Sequence, residues 1–216
     1  MNTVNKLDKV GQQVRDLVRD SSYAIRVNAM WQRGRNPDLT RSLQHSDATE
    51  GFTVIRNSLH FDLIMALIRL HDSTKNTSSI PRVVETLSNS AVCNMLISDI
   101  EGPRPTARAK KDGLHAKRLL RKAAAEARHL QTDSTLTALK ELRNRHLAHT
   151  ATEKIDHKAK YGDESAILEI SIAIVDKLAK VILGENCSWK KSSRIWSKHA
   201  DAFWANIAER QAASLR

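Results

Sequence analysis

Cysteine is nearly absent from this chain: Cys93 and Cys187 stand alone in 216 residues and do not form a CxxC pair. That excludes a disulfide framework and a thiolate set for structural zinc, and reads as two unpaired thiols in a reducing cytoplasm. Glycine and proline are also few, at seven and four, which leaves little punctuation for a many-stranded protein. Aromatics supply 4% of residues. The longest purely apolar run, Leu63 to Leu67 extended by Ile68, falls far short of the ~20 residues of a membrane span. Charges dot the first twenty residues, so no signal pattern is expected there. Acids are in deficit, with 24 Asp and Glu against 35 Lys and Arg. A soluble chain with that excess tends to meet polyanions, either nucleic acid or an acidic protein.

What is present points to helices. Hydrophobic residues reach 41%, enough for a core, and Ala, Leu, Arg and Lys dominate. Val4, Leu7, Val14, Leu17 and Val18 mark a first amphipathic helix to about Trp31, ended by Gly34, Asn36 and Pro37. A second starts near Glu50 and carries Phe52, Ile55, Leu59, Leu63, Ala66, Leu67 and Leu70, with an apolar face that widens toward its end. Pro81 fits the first turn of a third helix with Val84, Leu87, Ala91, Met95 and Leu96. After Gly102-Pro103-Arg104-Pro105 comes a helix with the sparse stripe Leu119, Ala123, Ala127 and Leu130. Thr132, Asp133 and Ser134 cap the next one. Asp163 is the expected cap of a strongly apolar helix closed by Gly184, and Ser192 or Ser193 opens the last. The expectation is one all-α domain over residues 1–216, with about seven helices.

The informative break lies in the helix after Asp133. Leu136, Leu139, Arg143 and His146 keep the spacing of a buried seam, yet the last two positions carry an arginine and a histidine. Charges at seam positions are unfavourable unless paired or functional. The run Arg143-Asn144-Arg145-His146-Leu147-Ala148-His149 suits phosphoryl chemistry in RNA. An imidazole at His149 can take a proton from a ribose 2′-OH or give one to the leaving 5′-oxygen. Arg143 can hold the scissile phosphate bidentately, and Asn144 can orient the ribose or the imidazole. Neither a metal nor a cofactor is implied, because the nucleophile sits within the substrate. Residues six apart on a helix point roughly 240° apart. Arg143 and His149 therefore meet only if the helix ends or bends between them, or if a second copy completes the site across a two-fold axis.

This run resembles the motif of HEPN domains: an arginine, a polar residue, and a histidine four to six positions on. The longer segment Leu139-Lys140-Glu141-Leu142-Arg143 leading into it looks most like the abortive-infection AbiU-type branch. So does Ile64-Met65-Ala66-Leu67-Ile68-Arg69-Leu70-His71-Asp72, followed by a Ser/Thr turn and Ile80-Pro81. The resemblance covers roughly residues 50–185, with 1–49 and 186–216 as flanking extensions. It implies a HEPN-like helical bundle that dimerises and sets two Arg–His motifs around one cleft. It further implies a metal-independent endoribonuclease of the toxin–antitoxin or abortive-infection type, checked by an antitoxin protein. Arg143 and His149 fit the catalytic positions and Asn144 the polar one, while His146 leaves open which imidazole acts. Asp72 matches an acidic position, as a structural or active-site acid.

Between Arg104 and Leu130, nine Lys and Arg face only Asp112 and Glu126. Arg108, Lys110, Lys111, Lys117, Arg118, Arg121 and Lys122, with Arg145, read as a track for an RNA backbone, or else as a solvated helix face. Aromatic stacking partners are missing there, which argues against base-specific reading. Trp189, Trp196, Phe203 and Trp204 follow helical spacing and read as core or dimer packing. Beside the nuclease stand two other readings: a non-catalytic HEPN module binding RNA or nucleotide, and an interaction bundle docking an acidic partner.

Overall fold

The structure is a computed structural model that describes residues 3–43, 48–148 and 162–214, with side-chain surroundings for 6–43, 48–144 and 162–210. Among the described residues there are nine helices and no strand: α1 (Thr3–Gly34), α2 (Pro37–Leu43), α3 (Thr49–Leu70), α4 (Ile80–Ser88), α5 (Ser90–Glu101), α6 (Ala107–Gln131), α7 (Ser134–Ala148), α8 (Asp163–Ile182) and α9 (Trp189–Ser214).

The all-α class is as expected, but seven helices become nine for two local reasons. The stretch after Pro37 forms the short α2, opened by Asn36, whose Oδ1 accepts from the Asp38 N–H at 2.9 Å, and anchored by buried Leu39 and Leu43. Seven residues are too few to show a helical period in the sequence. The helix expected after Pro81 is two helices hinged at Asn89. This residue sits in extended backbone (φ −70°, ψ 117°), ends α4, and caps α5 by accepting from the N–H groups of Ala91 and Val92 at 3.0 and 3.4 Å. An asparagine that offers the backbone its side-chain oxygen favours such a break.

Other ends differ by a few residues. The α8 N-cap is Gly162 (φ 113°), not Asp163, and its N–H is accepted by the Glu164 carboxylate at 3.1 Å. The last helix starts at Trp189, ahead of Ser192. Ile55, Ile170 and Ile195, read as seam residues, are each about 40% exposed.

The chain divides into two compact units, residues 1–21 with 68–187, and residues 22–67 with 188–216. In the first, α6 packs against α4, α5, α7 and α8. Its inward face is made of small residues and two leucines: Gly113, Ala116, Leu120, Ala123, Ala127 and Leu130. The stripe is thus one residue off at Leu119, with Leu120 taking the core position. Fully buried Leu70, Ile80, Leu136, Leu139, Ile174 and Leu178 complete this core. The loop from Asp72 to Ser79 is pinned to α1, with the Gln13 amide donating to Thr77 O and the Ser78 hydroxyl donating to Asp16.

In the second unit Leu39, Leu43, Phe52 and Trp204 form the core, with Met30, Leu59 and Ile207 packed on it. Phe52 meets Trp204 edge-on at 5.4 Å, and the Trp204 indole N–H donates to Met30 O at 3.0 Å. Of the C-terminal aromatics, Trp204 is the core residue, while Phe203 is 41% exposed. By length and composition α3 is the one described helix that would fit a membrane span. At its apolar end Leu63, Ile64, Ala66, Leu67, Ile68 and Leu70 are buried in protein.

Replacing Asn89 by alanine should lower stability by about 1 kcal/mol, and by glycine only a few tenths. Urea unfolding followed by helical circular dichroism measures this. Equal losses for both substitutions would show that the side-chain cap is not what holds the α4–α5 break.

Candidate active site on the motif helix

Asp133 opens α7: its carboxylate accepts from the N–H groups of Thr135 and Leu136 at 2.8 and 3.3 Å. Leu136 and Leu139 are fully buried, and the seam reaches Arg143, which is half-buried. Among the described residues the guanidinium meets no carboxylate there. Its Nε and Nη2 donate to Oδ1 of exposed Asn144 at 3.0 and 2.7 Å. Three of the five guanidinium N–H bonds have no partner among the described residues.

Two other charged side chains face this spot. Asp72, just past the end of α3, accepts on Oδ1 from the Thr74 N–H and hydroxyl, at 2.9 and 2.7 Å. Those two bonds first, then the charges of Arg143 and Lys140, hold the Asp72 carboxyl below its usual range against the opposing effect of burial. The contacting partner of Asp72 is therefore Thr74, with the two cations acting at longer range. Lys140, one turn before Arg143, is half-buried. Burial and the nearby Arg143 push its ammonium below the usual lysine value, while Asp72 partly restores it.

A buried chain of hydrogen bonds fixes Lys140. The Ser171 hydroxyl donates to Ile167 O at 2.6 Å, so its oxygen must accept from Nε2 of His71, at 2.7 Å. Nδ1 of His71 is then the acceptor for the Gln131 amide N–H, at 3.4 Å. With its nitrogen turned to His71, Gln131 presents its oxygen to Lys140 Nζ, at 3.3 Å. Every link has one direction, and the histidine one tautomer. His71 is 0% exposed. Burial, helped by the Lys140 charge, lowers its pKa from 6.5 to about 4, so the ring is neutral near pH 7.

Of the residues singled out from the sequence, Arg143, Asn144 and Asp72 come together here. Arg145 and His146 lie on the α7 backbone, their side chains outside the described set, and His149 lies outside the described residues. Arg108, Lys110, Lys111, Arg118, Arg121 and Lys122 are exposed on α6, and Lys117 is half-buried. Among the described residues only Lys122 of these meets an acid, Glu126 at 3.9 Å, which is itself held by Lys177 at 2.7 Å. At 1.5 Å per residue, the cations from Lys122 back to Arg108 lie about 14–35 Å along the helix from Gln131, at the site. Arg128, exposed in the last turn, fills the interval.

The AbiU2 family of HEPN domains matches residues 7–203. The chain belongs to that family. The match takes in most of both flanks, beyond residues 50–185 where the motif-bearing segments lie. No curated protein and no solved structure matches the chain. Within this HEPN chain, sequence reasoning missed Lys140, His71, Gln131 and Ser171 as one connected group. His71 and Lys140 did carry a signal, each within the segments that resemble AbiU2. Gln131 and Ser171 carried none, because their role comes from burial.

The depressed pKa of His71 has a consequence for stability. Above about pH 6.5 the ring is neutral in both folded and unfolded chains. Between 6.5 and 4 the unfolded chain takes a proton that the folded one refuses, so stability should fall as pH drops through that window, by about 3 kcal/mol at most. Urea midpoints at pH 7.5, 5.5 and 4.5 test this, with His71→Asn expected to remove that part of the slope. An unchanged slope in the variant would show that His71 is not its source.

Proposed function

We propose that this HEPN protein is a metal-independent endoribonuclease that acts as a homodimer in toxin–antitoxin or abortive-infection defence in the cytoplasm. The observation that carries the reading is the state of Arg143: a half-buried guanidinium at a seam position, held by a neighbouring amide and, among the described residues, by no carboxylate. An arginine retained there for stability alone would be expected to find an acid. One steadied by Asn144 keeps donors for an incoming phosphate.

In the proposed reaction the ribose 2′-oxygen attacks the adjacent phosphorus, the P–O5′ bond breaks, and the products carry a 2′,3′-cyclic phosphate and a 5′-hydroxyl. An imidazole, His149 with His146 as the neighbouring alternative, takes the 2′-OH proton, and a protonated imidazole supplies the 5′-oxygen. Arg143 neutralises the charge that builds on the non-bridging oxygens. The roughly 240° between positions 143 and 149 is bridged in a dimer, where two copies of the motif face one cleft. RNA approaches along the exposed cations of α6, and a cognate antitoxin protein masks the dimer until release. The exposed cations of α6, of which only Lys122 meets an acid among the described residues, also favour a second reading, a HEPN module that binds RNA through this surface without cutting it.

Incubation of purified protein with RNA in EDTA at low salt should give fragments with 2′,3′-cyclic phosphate ends. Arg143→Ala and His149→Ala should each slow cleavage by about 10²–10³-fold. Cleavage that survives both substitutions would eliminate the site, and salt-sensitive binding without cleavage would select the second reading.

A further inference from the structure

We infer that Lys140 and Arg143 together form a subsite for one phosphodiester group, with Lys140 contacting a phosphate oxygen. The inference rests on the reading of α7 as a nuclease site and extends it to a residue outside the Arg–His motif. Positions 140 and 143 are neighbours on one helix face, so two cations stand side by side where like charges repel. That repulsion shows in the Lys140 ammonium, held below its ordinary value by burial and by Arg143. The fold does not relieve it: neither side chain forms an ion pair among the described residues. Among the described residues Asp72 is the acid whose charge reaches both, and it pairs with neither: Thr74 donates twice to its Oδ1. Two cations against one carboxylate leave a single positive charge, the complement of one phosphodiester.

The anchoring of Lys140 supports the same assignment. Surface lysines are usually mobile, and fixing one loses side-chain entropy. Here the ammonium is tied to Gln131, which is oriented by His71, which is oriented in turn by Ser171 and Ile167 O. Only one ammonium N–H is used in this way, leaving two for a ligand. A neutral donor would satisfy Gln131 equally well. Within the described residues the fold gives the charge at 140 only the longer-range pull of Asp72, and an anion beside Lys140 and Arg143 supplies the missing contact.

The test uses a fluorescent all-2′-deoxy oligonucleotide, which keeps the phosphates and lacks the nucleophile, so binding is read without cleavage. Anisotropy titrations over a range of salt compare wild type with Lys140→Met, Lys140→Gln and Lys140→Arg. Met keeps the aliphatic stem, and Gln keeps a donor for Gln131, so at least one neutral variant should fold like wild type. Both neutral variants should bind about tenfold more weakly, and their salt slope should fall by about 0.7, the contribution of one lost contact to a single strand. Lys140→Arg should stay near wild type. Wild-type affinity and slope in both neutral variants would overturn the subsite, as would a wild type that fails to bind, or an Arg variant as weak as the Met variant. Lys140-dependent binding by a protein that does not cut all-ribose RNA would keep the subsite and remove the nuclease. Cleavage that needs Arg143 and His149, with binding indifferent to residue 140, would do the reverse.

Discussion

A helix can serve as core and as a polyelectrolyte only if its two faces stay apart, and the first compact unit depends on α6 meeting that constraint. Its buried side is Gly113, Ala116, Leu120, Ala123, Ala127 and Leu130, small enough for four other helices to pack around one axis. Its other side carries lysines and arginines that meet almost no acid among the described residues. The last residue, Gln131, then does different work, passing the order of the core to Lys140 on α7. Core and basic track are thus two faces of α6, and its last residue is the link to the candidate site on α7.

The buried His71 is where packing becomes chemistry. A neutral imidazole bonded on both nitrogens is a directional connector, and the Ser171 hydroxyl, already committed to Ile167 O, sets the direction. The chain is costly if incomplete, since each buried polar group would be left unsatisfied. Complete, it holds an ammonium beside Arg143 without recruiting a carboxylate that would compete with a phosphate. Asp72 takes two Thr74 bonds on its Oδ1 and forms no ion pair with Lys140 or Arg143, so an acid sits near two cations without closing the site.

Much of this was legible in the chain itself. The all-helical character of the described residues followed from composition and period, and most helices lie where the apolar spacing put them. The motif arginine and its polar neighbour were visible because they broke a seam begun by Leu136 and Leu139. The two extra helices were not visible. α2 is shorter than two periods, and the α4–α5 break turns on Asn89 between Ser88 and Ser90, where the apolar spacing runs on from Val84 and Leu87 to Ala91, Met95 and Leu96. Among the expected core positions, Ile55, Ile170 and Ile195 are exposed because a periodic stripe reports which face is apolar, not how far the partner helices reach along it.

By itself, then, the sequence determined the helical class, the family and the identity of the residues that can do phosphoryl chemistry, because those depend on local spacing and side-chain type. The structure added the local contacts of Arg143 with Asn144 and of Asp72 with Thr74, and only tertiary packing decided that Ser171, His71, Gln131 and Lys140 form one connected line. Those residues lie up to 100 positions apart. A hydrogen bond or an unbalanced charge between them exists only where packing from several helices excludes water and brings them within reach.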